Sequence, residues 1–157
     1  MERHFEYPAR VEQDEAGFYL VTFPDFPEAA TDARSLRAAI TEAKDCLEEA
    51  VAGRIKRGEE IPAPSPATEG MARVALSALY AMKAALYSAL REAGLSQSAL
   101  AARLGKDEKE VRRLLDPEHI SRTSNLEAAL RAIGKRIQVV VEDAGDQSFG
   151  HQEAAET

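Results

Sequence analysis

Lys106, Lys109, Arg112 and Arg113, with Gln97 upstream and Glu108 among them, are the residues whose types and spacing promise chemistry in this chain. Cations recurring at three- and four-residue steps suit phosphate oxygens, and arginine also suits the paired acceptors on a guanine edge in a DNA major groove. Gln97 suits a phosphate or a base edge. Glu108 suits a cytosine amino group or, more simply, the positive end of a helix.

Such side chains need a rigid frame, and residues 95–115, LSQSALAARLGKDEKEVRRLL, supply one. Ser96 is placed to cap a first helix, with Leu100, Ala101 and Leu104 as its apolar stripe. Gly105 falls where that helix stops, at a position that favours positive φ. Asp107 and Glu110 form a D-x-x-E capping box that restarts a helix at once. Val111, Leu114 and Leu115 face inward from it, which leaves Glu108, Lys109, Arg112 and Arg113 outward. Ala101 is small where two steeply crossing helices need to approach. Together these features describe a helix-turn-helix with a cationic second helix. The alternative is a purely structural helical pair, since exposed arginines are often only solvated.

At 157 residues the chain has enough length for a real core, in one domain or two small ones. No apolar run reaches the ~18 residues of a membrane span, and MERHFEYPAR lacks the apolar centre of a secretory signal. Cys46 is the lone cysteine, which excludes an internal disulfide, and His4, His119 and His151 share no ligand spacing. Neither a metal nor a cofactor is implied, and a reducing cytoplasm is the expected home. The overall charge of −7 is unevenly spread. Residues 1–70 hold 8 Lys and Arg against 15 Asp and Glu; residues 71–143 hold 12 against 9; residues 144–157 hold none against 3. A basic rear half and an acidic front half point to two partners of opposite charge, a nucleic acid and a basic protein.

The front half reads as sheet and helix. Phe5, Tyr7, Ala9 and Val11 alternate with polar residues as in a half-buried strand, and Pro8 demands a free side there. Residues 13–17 form a hairpin turn, residues 18–23 a second strand, and residues 28–33 a short third one. Pro24-Asp25-Phe26-Pro27 is an ordered corner. Ser35 caps a long helix whose apolar face is Leu36, Ala39, Ile40, Ala43, Leu47, Ala50, Val51 and Ile55. Residues 61–66, IPAPSP, are extended and lead to a strand over residues 72–77. From Ala78 an alanine-rich helix presents Leu79, Met82, Leu86 and Leu90, with Gly94 as its stop. Residues 125–133 form a last helix. Ile137, Val139 and Val141 alternate as a terminal strand, with a second copy of the chain as its expected partner. The acidic residues 144–157 are expected to be disordered.

The front half resembles the HicB antitoxin family. The resemblance is carried by Tyr7-Pro8-Ala9, by residues 17–29 (GFYLVTFPDFPEA) with Thr31, by Ser35-Leu36, Ala39, Ala43-Lys44 and Leu47, and by residues 61–65. The back half is similar to the helix-turn-helix of one branch of that family through Leu95-Ser96-Gln97, Leu100-Ala101, Leu104-Gly105-Lys106, Val111, Arg113-Leu114 and residues 132–135. The resemblance implies an α+β fold. Residues 1–77 would be a truncated ribonuclease H-like sheet with a packed helix that binds a HicA-type messenger-RNA-cleaving toxin. Residues 78–143 would be a helix-turn-helix domain, with its terminal strand, that represses the operon at operator DNA as a homodimer or higher homo-oligomer. On this reading Gln97, Lys106, Glu108, Lys109, Arg112 and Arg113 meet DNA, and Asp14, Asp25, Phe26, Glu28 and Asp32 are candidates for the toxin. No catalysis is expected: Asp14, Glu15, Asp25 and Asp32 fall in turns and corners instead of sharing a strand face around metal ions. The rival class is a stand-alone, ligand-responsive transcriptional regulator without a toxin partner.

Overall fold

The computed structural model describes residues 2–143, so the expectation for residues 144–157 lies outside them. The order is β1 (Glu6–Gln13), β2 (Tyr19–Phe23), β3 (Phe26–Ala33), α1 (Leu36–Arg57), β4 (Ala72–Ala75), α2 (Ala78–Ala93), α3 (Gln97–Leu104), α4 (Glu108–Leu115) and α5 (Thr123–Ala132). Among the described residues the fold is mixed α+β, with one antiparallel sheet and five helices. The contacts divide it into two units: residues 2–50, 62–75 and 141–143, and residues 51–61 and 76–140.

In the first unit the sheet runs β3-β2-β1-β4. β1 pairs with β4 over Glu6–Ala9 and with β2 over Arg10–Gln13, so Pro8 has β4 beside it and no β2 partner. That is the free side a residue without an N–H requires. The hairpin between β1 and β2 is locked by Asp14, whose backbone N–H donates to the Phe18 carbonyl at 2.8 Å and whose carboxylate accepts from Phe18 N–H at 2.8 Å. Alternation puts Tyr7, Ala9, Val21, Phe23, Ala29 and Ala33 into the core. From α1, Ala39, Ala43 and Leu47 are fully buried, and the alanines let the helix lie close. Ser35 caps α1 by accepting from Ala38 N–H at 3.2 Å. Thr31 Oγ1 donates to Glu42 at 3.2 Å, and Cys46 Sγ donates to the Ala30 carbonyl at 3.5 Å, tying α1 to β3.

One expectation needs correction here. Phe26, expected in an ordered corner and as a candidate for the toxin, instead opens β3 opposite Phe23, is fully buried, and meets Tyr7 edge-on. A register shift between Thr22 and Phe23 lets the chain turn within Pro24-Asp25 and bring the ring inside. Residues 137–143 join no ladder among the described residues of this one chain, and Val139, Val140 and Val141 are 79%, 67% and 91% exposed, so the expected pairing with a second copy has no counterpart within it. Alternation supplies a face, whereas a strand also needs a neighbouring backbone.

The second unit is helical. Its core is Leu86, Ala89 and Leu90 of α2, Leu100 and Ala101 of α3, Val111, Leu114 and Leu115 of α4, and Leu126, Ala129 and Leu130 of α5. Leu79 and Met82 pack on it half-buried. Residues 51–61 belong with this unit, held by Tyr87, whose hydroxyl donates to the Glu59 carbonyl at 2.6 Å, and by Arg91, which donates to the Gly58 carbonyl.

Candidate nucleic-acid interface

Two short helices need strong ends, and α3 and α4 have them. Ser96 Oγ accepts from Ala99 N–H at 3.0 Å, and Asp107 Oδ1 accepts from Glu110 N–H at 2.8 Å. Each bond satisfies a donor that the first turn leaves unpaired. Between the helices lie residues 105–107. Gly105 takes φ +64°, a left-handed conformation open to glycine, and its N–H with that of Lys106 closes α3 onto the carbonyls of Ala102 and Ala101. The turn is therefore fixed by backbone bonds at both edges, and α4 starts in a defined direction.

That direction decides what α4 presents. Val111, Leu114 and Leu115 go into the core, and Glu108, Lys109, Arg112 and Arg113 stay exposed. Lys109, Arg112, Arg113 and Asp116 line one shallow recess of about 280 Å³. No ion pair joins Lys109, Arg112 or Arg113 to a carboxylate among the described residues. Glu108 sits in the first turn of α4 beside Glu110, where negative charge favours the helix dipole. Gln97 is exposed in the first turn of α3, and Lys106 is half-buried in the turn. The structure thus gathers three of the six sequence-derived residues into one recess, and Gln97, Lys106 and Glu108 are not part of its lining. A second groove of about 560 Å³ is lined by Ile55, Lys56, Arg112, Leu115, Asp116, Pro117 and Glu118, with Lys56 and Glu118 paired at 3.4 Å.

The five candidates of the first unit do not converge. Asp14 is occupied in the hairpin, and Asp25 accepts from Ser65 N–H at 3.0 Å and from Ser65 Oγ. Phe26 is core. Glu28 and Asp32 are exposed on β3, and Asp32 pairs across the ladder with Leu20, itself 40% exposed.

Sequence reasoning missed Lys83. It lies on α2, is fully buried, and its Nζ donates to the Arg113 carbonyl at 2.8 Å, the Asp116 carbonyl at 2.7 Å and Ser121 Oγ at 2.9 Å. Burial lowers its pKa below the ordinary lysine value, and the Asp116 carboxylate opposes that shift. The signal was present: Leu79, Lys83, Leu86 and Leu90 fall at steps of four, three and four, which puts a lysine on the apolar stripe. Among the described residues no group of three or more His, Cys, Asp and Glu could hold a metal ion, and no helix is long and apolar enough to cross a membrane.

Comparison with known proteins adds the following. Residues 6–85 match the family described as HicB-like antitoxin of bacterial toxin–antitoxin system. The chain is 34% identical over 140 residues to antitoxin HicB 2 of Photorhabdus laumondii, covering 89% of this chain and 99% of that protein. It is 31% identical over 135 residues to antitoxin HicB of Escherichia coli, covering 86% and 98%. It is 35% identical over 141 residues to antitoxin HicB of Pseudomonas fluorescens, covering 89% and 96%.

Proposed function

The chain belongs to the HicB-like antitoxin family of bacterial toxin–antitoxin systems, and from that premise we propose that it joins two binding activities. Residues 1–77 mask a HicA-type messenger-RNA-cleaving toxin, and residues 78–143 bind operator DNA as a helix-turn-helix and repress the operon. The protein has no catalytic step of its own in this scheme. It works in the cytoplasm, where both partners are found.

The observation that carries the DNA half is the recess on α4. Three cations, held by a capped helix beside Asp116 and in no ion pair with a carboxylate among the described residues, offer charge to an anionic polymer that a folded acidic protein would otherwise repel. Lys106 and Lys109 meet phosphates, Arg112 and Arg113 reach base edges, Gln97 docks the first turn of α3, and Glu108 reads an amino group or supports the helix end. As a homodimer the chain sets two such helices about 34 Å apart, so the operator is an inverted repeat. The exposed stretch at residues 138–140 is the natural place for the copies to pair.

For the toxin half, the acidic balance of residues 1–70 favours a basic partner. Glu28 and Asp32 on β3, with Leu20 beside Asp32, form the facing surface, and Asp14 and Asp25 hold the turns that shape it. The test is co-expression with a toxic HicA-type protein, taken from any short basic reading frame that adjoins this gene, scored for restored growth and co-purification, and binding of the purified complex to the upstream duplex. Absence of both rescue and binding refutes the proposal.

A further inference from the structure

Lys83 does something unusual for α4. α2 and α3 each end on a left-handed glycine, Gly94 and Gly105, that folds backbone N–H groups onto the last carbonyls. α4 ends on Asp116 in an extended conformation, with only the Asp116 N–H returning to Arg112. The carbonyls left over at this negative helix end, including that of Arg113, are taken by Lys83 from another helix. All three ammonium donors are used, the third on Ser121 Oγ, which lies 3.4 Å from the Arg113 carbonyl.

An apolar side chain would cost less to bury at this point, because the ammonium loses its hydration. What the lysine adds is direction. Val111, Leu114 and Leu115 anchor the inner face of α4, and two bonds from one nitrogen to the Arg113 and Asp116 carbonyls, with a third to Ser121 Oγ, pin its C-terminal end. We propose that Lys83 is a positioning residue for nucleic-acid recognition, holding α4 so that Arg112 and Arg113 meet base edges in register. The inference rests on the reading of α4 as the helix that enters duplex DNA. Paired arginine–guanine bonds tolerate displacements of only ~0.5 Å, so loosening this clamp blunts sequence preference before it weakens phosphate contact.

The experiment uses the full chain as wild type, Lys83→Met and Ser121→Ala. A labelled duplex carrying the sequence upstream of the gene competes against a scrambled duplex of equal length, with thermal melts in parallel. Lys83→Met is expected to keep its affinity for the scrambled duplex and its salt dependence, because no phosphate contact is removed, while its preference for the upstream duplex falls about tenfold. Ser121→Ala, which removes one of three acceptors, is expected to lose about threefold. Undiminished preference in a folded Lys83→Met overturns the inference. Should that variant not fold, undiminished preference in Ser121→Ala overturns it instead. A wild-type chain that ignores both duplexes refutes the DNA reading itself, whereas wild-type preference with unaffected variants refutes Lys83 alone.

Discussion

Tyr7 meets Phe26 edge-on, with ring centroids 4.9 Å apart and planes at 76°, and its hydroxyl donates to the Pro62 carbonyl at 2.7 Å. One side chain thus ties the central strand to the start of β3 and to the proline-rich segment. Tyr7→Phe keeps the ring and leaves the Pro62 carbonyl without this donor, so a loss of about 1 kcal/mol is expected in urea unfolding. Phe26→Ala empties a fully buried site and is expected to cost about 3–5 kcal/mol. A smaller loss for Phe26→Ala than for Tyr7→Phe would contradict the placement of that ring in the core.

Asp25 and Ser65 are the second tether of the same segment, 40 residues apart in sequence. Asp25→Ala should lower stability by about 1 kcal/mol and speed hydrogen exchange at the Ser65 amide. An amide that exchanges equally fast in both proteins would show that the carboxylate does not hold it.

Arg112 and Lys109 differ in what they are asked to do. Arg112→Ala is expected to cost about 1–3 kcal/mol on the operator, much less on scrambled DNA, and nothing in toxin capture. Lys109→Ala should weaken both duplexes alike and reduce the salt slope by about 0.9. If Arg112→Ala also abolishes toxin capture, the division of labour between the two halves is wrong.

Cys46 supplies a pH-dependent readout. Burial first, and then Glu49, raise its pKa above the ordinary 9.0, against a smaller lowering effect of the Ala30 backbone. Its alkylation by iodoacetamide should therefore need a higher pH in the folded chain than in guanidinium. The sign for stability follows. Just above pH 9.0 the unfolded thiol has released its proton and the folded one has kept it, so stability falls with rising pH through that window. Cys46→Ser should flatten this fall, as followed by urea unfolding across the alkaline range.

Much of this architecture was legible in the sequence because the signals were local. Alternation located β1 and β2, three- and four-residue steps located α1 and α2, and Ser35, Ser96, Asp107, Gly94 and Gly105 marked helix ends by their own chemistry. What escaped depends on distant chain. Pro24 and Pro27 announce a turn, but nothing nearby says that the ring between them will find Tyr7. Asp25 and Ser65 obey no spacing rule. Ile137, Val139 and Val141 alternate as a strand does, but join no ladder among the described residues of a single chain. Lys83 was concealed by its good helix propensity, which let it pass as an ordinary member of an alanine-rich helix.

The docking of Pro62 and Ser65 bears on how this protein can be re-engineered. A stretch with the composition of a spacer is in fact bolted down at two points, so a tag or cleavage sequence spliced there would unseat β4. The tip of the first hairpin, at Glu15 and Ala16, is exposed and anchored just outside by Asp14. Foreign residues should be accepted there at little cost to solubility or expression.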